Sequence, residues 1–225
     1  MPPASPERET APRWAVLTWL MSLVCWLAVA CGGSGAPPEV RALAEIERGI
    51  ELEAAGNPAK AFQAYNNALR LDRGSAEAYV RRGYIYIQLD DFSRAMSDLN
   101  QALELDPDLA AAYNYRGLIM ASSDRPDAAF LEYARAIELD PTAIETYINR
   151  GRLYVEQQDL DSALADLDSA LAIDPQSAEL YLDRARIHMI SGNTAPAIAD
   201  LEQVLSVAQE EAFVLAAKQL LALLR

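Results

Sequence analysis

Apolar and small residues return along this chain on two schedules, one of three to four residues and one of thirty-four. In the stretch beginning at Ala76, Tyr79, Gly83 and Tyr86 recur at helical spacing; after a polar break Ala95, Leu99 and Ala102 do the same. Each set lies on one face of an α-helix. The 34-residue unit then recurs without insertion or deletion, giving copies at 42–75, 76–109, 110–143, 144–177 and 178–211. A period of this length predicts a stacked array, in which function lies on surfaces shared by neighbouring units rather than in one catalytic pocket.

The columns of the repeat predict how each copy packs. Counting from one at the start of each copy, the eighth place holds Gly49, Gly83, Gly117, Gly151 and then Ala185, and the twentieth holds alanine throughout, from Ala61 to Ala197. The fourth is Tyr79, Tyr113, Tyr147 and Tyr181 after the first copy, and the twenty-fourth is Tyr65, Leu99, Tyr133, Leu167 and Leu201. Large residues are thus set to face small ones where two helices cross, and filling such a hole, as in Gly83→Leu, should destabilise by roughly 1–3 kcal/mol. Asn57, Asp91, Asp159 and Asn193 stand where an N-cap would start each second helix. Asp106-Pro107, Asp140-Pro141 and Asp174-Pro175 end three copies, because proline lacks an amide donor and drives its predecessor out of the helical region. Each copy reads as a helix, a turn and an antiparallel helix.

This succession of large residue, Gly, Tyr, Ala, large residue, Ala and Pro resembles the tetratricopeptide repeat family over residues 42–211. The resemblance implies an all-α, right-handed superhelical solenoid of five helix-turn-helix repeats, a noncatalytic scaffold for protein partners. The outer copies depart from the pattern, with Glu45 and Arg73 in the first and Ala185, His188, Val204 and Gln209 in the last. Terminal repeats have a neighbour on one side only and are expected to be atypical. Residues 212–225 read as a capping helix.

The amino terminus carries a different pattern. Arg8 and Arg13 precede an uncharged stretch from Trp14 to Ala30, which ends in Leu27-Ala28-Val29-Ala30-Cys31 and is followed by Gly32-Gly33-Ser34-Gly35. A positive start, an apolar middle and small residues before a break describe a secretory signal. With Cys31 next, residues 1–30 resemble a bacterial lipoprotein signal, which implies cleavage before Cys31, lipidation of that residue and a linker over 31–41. Ala28-Val29-Ala30 also suits ordinary cleavage to a secreted protein. An uncleaved anchor is the third reading, although the stretch spans roughly 25 Å against about 30 Å for a bilayer core. The lipid-anchored, extracytoplasmic envelope protein is the expectation carried forward.

Charge and composition then exclude several chemistries. Residues 1–30 hold two acids and two bases, so the net charge of −14 is unchanged by their removal. Such acidity argues against nucleic acid, whose phosphates require a basic footprint. Both cysteines, Cys25 and Cys31, lie outside the repeats, which therefore offer no disulfide, thiol nucleophile or thiolate metal site. His188 is the one histidine and falls where other copies place Tyr86, Met120 and Tyr154, so it reads as a packing residue. Paired acids such as Asp90-Asp91 sit at turns and read as caps. No glycine-rich phosphate loop or nucleophile elbow is present. No enzyme activity, metal or cofactor is expected.

Two further columns concern partners. The seventh place is arginine in every copy (Arg48, Arg82, Arg116, Arg150, Arg184), and the twenty-third is Ala64 and then Asp98, Glu132, Asp166 and Asp200. That pairing predicts a ladder of ion pairs in the framework. The family resemblance puts a concave groove on places two, five, six, nine and twelve. In the first two copies these places give Ile50, Val80, Tyr84 and Ile87. The third and fourth add Asn114, Leu118, Asn149 and Arg152; the fifth adds Arg186 and Met189. A segment with hydrophobic anchors and an acidic end suits such a groove. The family's clamp for a C-terminal carboxylate is matched only at Asn149, since Leu118, Glu179 and Asp183 depart from it. In the last helix Phe213, Val214, Leu215, Leu220, Leu221, Leu223 and Leu224 cover more than one face. That surplus suggests a homodimer contact.

Overall fold

A computed structural model of the protein describes residues 36–224. The signal-peptide expectation and Cys31 lie outside the described residues. Within them the regular structure is entirely helical: α1 (Pro38–Ala54), α2 (Pro58–Leu71), α3 (Ala76–Gln88), α4 (Phe92–Leu105), α5 (Ala110–Ser122), α6 (Pro126–Leu139), α7 (Ile144–Glu156), α8 (Leu160–Ile173), α9 (Ala178–Ile190), α10 (Thr194–Val207) and α11 (Glu211–Leu224). The chain divides within α3, between Ile85 and Tyr86, into two compact units.

The turn inside each copy is closed by backbone geometry that the side-chain pattern only partly announces. Place fifteen is left-handed in all five copies: Gly56 (φ 70°), Asp90 (56°), Asp124 (55°), Gln158 (62°) and Gly192 (74°). This residue lets the next amide fold back five residues, as in Asn57 N to Leu52 O at 2.8 Å and Asp159 N to Tyr154 O at 2.9 Å, so that carbonyls at the helix end are satisfied. Of the four expected N-caps, Asp91 and Asp159 accept the amides of Arg94 and Ser162 at 3.0 and 3.1 Å. Asn57 and Asn193 do not accept a capping amide. The Asn57 side chain is turned outward instead, donating to the Ala55 carbonyl at 3.0 Å.

Second helices end in a shared device. Asp72, Asp106, Asp140 and Asp174 leave the helix, and each carboxylate accepts the amide two residues on, at 2.7–3.0 Å. In three copies the intervening proline then offers its carbonyl to the place-four tyrosine of the next copy: Tyr113 to Pro107 at 3.2 Å, Tyr147 to Pro141 at 3.3 Å and Tyr181 to Pro175 at 3.4 Å. The closing proline therefore stops one copy and tethers its successor.

In the first unit Ala42, Ile46, Ala61, Tyr65, Ala68, Leu69, Ala78 and Ile85 form one core. Tyr65 is fully buried, and its hydroxyl donates to Glu53 Oε2 at 2.5 Å; burial, then Glu53, holds that phenol well above the usual range. In the second unit successive helices stack: α5 on α6, α6 on α7, α7 on α8, α8 on α9 and α9 on α10, with α5 also touching α7. Burying Tyr133, Leu167 and Leu201 contributes about 1.5–3 kcal/mol each. At the carboxyl end α11 buries Ala217 and Leu221 against Leu182, Ala185, Leu201 and Val204.

Gly117 and Gly151 occupy the same column but not the same space. A Cβ on Gly117 would stand 2.7 Å from Cδ1 and Cε1 of Tyr133, whereas one on Gly151 would meet nothing nearer than 3.6 Å. The hole is obligatory where tyrosine fills place twenty-four, at Gly117 and at Gly49 against Tyr65, and not at Gly151, whose copy has Leu167 there. Ala185, fully buried with Leu201, is the natural instance of the second case.

Candidate functional site

In the second unit the first helices of the third and fourth copies touch, and between α7 and α9 lies a cleft of about 460 Å³. Ile148, Val155, Leu167, Ile187 and Ile190 give it apolar walls, with Ile190 64 % exposed at the rim. Arg152 and Arg186, one from each helix, meet here together with Glu156 and Asp183. Arg186 is held by Asp183 at 2.9 Å. Arg152 is exposed and forms no ion pair with any described residue. A cationic group over apolar walls can receive a segment that carries both hydrophobic side chains and a carboxylate.

The structure redistributes the other groove candidates. Val80 and Asn114 are buried, at 6 % and 3 % exposure, and offer no surface to a partner. Asn114 Oδ1 instead accepts from Asn149 Nδ2 at 3.0 Å, joining the first helices of the third and fourth copies. Ile50, Tyr84, Ile87, Leu118 and Met189 are half-buried, and Ile50 packs against the core of the first unit. Met189 does not line the α7–α9 cleft. Sequence reasoning overlooked Val155, although it occupies the twelfth place, and Ile190 and Glu156 one place further on, where one more turn of each helix reaches the rim.

The arginine column is framework in the second unit. Arg150 donates to Asp166 through Nε at 2.9 Å and Nη2 at 2.7 Å; Arg184 does the same to Asp200 at 2.9 and 2.6 Å and adds Asp168 at 2.6 Å. These bonds, those to Asp200 foremost, raise the Arg184 pKa and hold it charged. Arg116 makes a single bond to Glu132 at 2.5 Å. Arg48, whose copy has Ala64 in place of an acid, turns to Glu45 at 3.6 Å. Each place-four tyrosine lies beside its arginine, 5.6–6.0 Å from guanidinium to ring centre in the last four copies. His188 is half-buried, its Nε2 3.9 Å from Asp200 Oδ2. Among the described residues no group of three or more His, Cys, Asp or Glu is placed to hold a metal, and no helix is long and apolar enough to cross a membrane.

Known proteins bear on this geometry as follows. The family described as Tetratricopeptide repeat is matched over residues 151–222 and again over residues 76–109. Those segments carry tetratricopeptide repeats, and the described residues, all helical in their regular structure, are built as adjacent helix pairs in the manner of tetratricopeptide solenoids. Among solved structures, a thermophilic tetratricopeptide protein of Thermus thermophilus is similar with a TM-score of 0.68 at 19 % identity, covering 80 % of this chain and 99 % of its own. PilW, a type IV pilus biogenesis factor, gives 0.67 at 23 %, covering 78 % and 82 %. YrrB, a tetratricopeptide protein with an unusual peptide-binding site, gives 0.54 at 22 %, covering 79 % and 92 %. At these identities the likeness concerns the fold. No curated protein sequence matches the chain.

Proposed function

We propose that this protein is a membrane-tethered scaffold of a bacterial envelope assembly, anchored through a lipidated Cys31 on the extracytoplasmic side and binding a partner segment in the α7–α9 cleft. The observation that carries the binding half is Arg152, an exposed cation without an ion-pair partner among the described residues, standing over apolar walls in a chain of net charge −14. The acidic surface repels acidic segments in general, so one unpaired arginine beside an apolar cleft gives local specificity for a segment with hydrophobic anchors and one carboxylate. Structures of similar fold include a peptide-binding protein and a pilus biogenesis factor, which is in keeping with this reading.

A photo-crosslinking residue at the exposed position 190, used in intact cells, tests it. Capture of a defined partner that is lost in Arg152→Glu supports the cleft; capture unaffected by Arg152→Glu places the partner elsewhere. Mass measurement of the mature amino terminus decides between lipidated Cys31, simple cleavage after Ala30 and an intact anchor.

A second reading is a noncatalytic regulatory subunit of an envelope enzyme complex, and it is favoured if the captured partner's turnover changes when the repeats are added. Self-association is proposed through α11, where Leu215 and Leu223 stay 56 % and 75 % exposed. A monomeric mass in sedimentation across micromolar concentrations would remove that proposal.

A further inference from the structure

Where the first copy meets the second, within the first unit, the charge pattern differs from its equivalents further along the chain. A concavity of about 450 Å³ is lined by Asn66, Leu69, Arg70, Arg73, Tyr79 and Arg82, with no carboxylate among the lining residues. Arg82 donates to Asn66 Oδ1 at 2.7 Å and lies 5.6 Å from the Tyr79 ring centre. Arg70 and Arg73 are exposed and make no ion pair with any described residue.

The two arginine places are filled differently in the other copies. Place twenty-five is Asn66 here but Asp168 in the fourth copy, where it holds Arg184 at 2.6 Å. It is asparagine again in the second copy, Asn100, and alanine in the third, Ala134, so the distinction rests mainly on the two arginines. Place twenty-nine is Arg70 here but Glu104 and Glu138 in the next two copies, and place thirty-two is Arg73 where the three following copies have proline. Two cations, Arg70 and Arg73, are thus added around one concavity, in a chain whose overall balance is −14. Clustered guanidinium groups repel one another, and an anion bound between them relieves that repulsion.

We propose that this concavity binds a phosphate group carried on a small organic molecule. A single carboxylate would answer one guanidinium, whereas a phosphate dianion presents three acceptor oxygens and satisfies several arginine forks at once. Leu69 and Tyr79 supply the apolar wall for the organic part. Two sources offer this chemistry, a soluble phosphate ester and a phospholipid headgroup.

Calorimetric titration of the intact chain in neutral detergent micelles at low ionic strength tests the site, with phenyl phosphate as the soluble probe and a short-chain phosphatidic acid as the lipid probe. Saturable binding is expected, weakened about tenfold by Arg70→Gln and by Arg73→Gln, unchanged by Arg41→Gln, and reduced by added salt. Both variants lie at exposed positions, and unchanged circular dichroism shows that they fold. Whichever probe binds more tightly identifies the source. The proposal is overturned if no saturation is seen up to roughly 10 mM. Equal weakening by Arg41→Gln overturns it too, as does a triglutamate peptide binding as tightly as phenyl phosphate, which would assign the cluster to an acidic protein segment.

Discussion

The α5–α6 and α7–α8 pairs are successive copies of one sequence pattern, yet they solve the same packing problem in two ways. In α5–α6 a fully buried Tyr133 fills the crossing and requires the bare Gly117 beneath it; in α7–α8 the smaller Leu167 leaves room above Gly151. Their ion pairs differ as well. Asp166 meets Arg150 with both oxygens, while the longer Glu132 reaches Arg116 with one, leaving Glu132 Oε2 and Arg116 Nε buried without a hydrogen bond. One methylene in the acid thus separates a satisfied fork from a half-satisfied one. Conservation of a column's chemical type does not fix how its members contact their neighbours.

The contrast can be broken most forcefully at the arginines. Arg150→Met leaves the Asp166 carboxylate buried and unpaired, and should lower stability by about 3–5 kcal/mol in urea denaturation. Arg116→Met should cost only about 1–2 kcal/mol, because Glu132 is more exposed and already half-unsatisfied. Next in size is the glycine. Gly117→Ala should destabilise by roughly 1–3 kcal/mol and be largely rescued by adding Tyr133→Leu, whereas Gly151→Ala should be neutral or stabilising by about 0.5–1 kcal/mol. An equal loss at both glycines would abolish the distinction. Glu132→Asp should convert the α5–α6 pair to the two-bonded geometry and raise the unfolding midpoint by an amount equivalent to about 1 kcal/mol; a lower midpoint would show that α6 holds its acid too far from Arg116 for the shorter side chain.

The smallest effect is set by pH. Hydrogen bonds from the Ser162 side chain and then its amide hold the Asp159 carboxyl below the usual carboxylate range. A lowered folded-state pKa means that the cap's contribution is complete above the unfolded value of about 3.9 and fades as pH falls through the folded value. The matching residue before α6 is Arg125, which makes no side-chain cap. Carbon chemical shifts in the first turn of α8 should therefore move toward coil below about pH 4, and those of α6 should not.

Much of the architecture was legible because it depends on backbone properties with short range. Proline and aspartate at the end of a copy stop a helix wherever they occur, and apolar spacing places one face inward. The ion-pair ladder was legible for a related reason: an arginine in every copy is followed sixteen places on by an acid in four of the five, and the copy lacking the acid is one whose arginine turns elsewhere. The groove was less legible. Place five is buried at Val80 and Asn114, and Asn114 is spent on Asn149, while Arg152 four places further along remains open. For Asn114 the partner is Asn149, 35 positions away on the first helix of the next copy, a separation that local spacing does not resolve.

The sequence by itself determined a helical array with a 34-residue period, the ends of most helices and the acid partners of Arg116, Arg150 and Arg184, because these follow from local conformational preference and exact repetition. Only the tertiary structure decided which glycines are indispensable, which acids engage with both oxygens, which tyrosines hold the preceding proline carbonyl and which arginines stay unpaired. Those outcomes turn on differences of an ångström or a single methylene between packed surfaces, a scale that the repeating pattern does not encode.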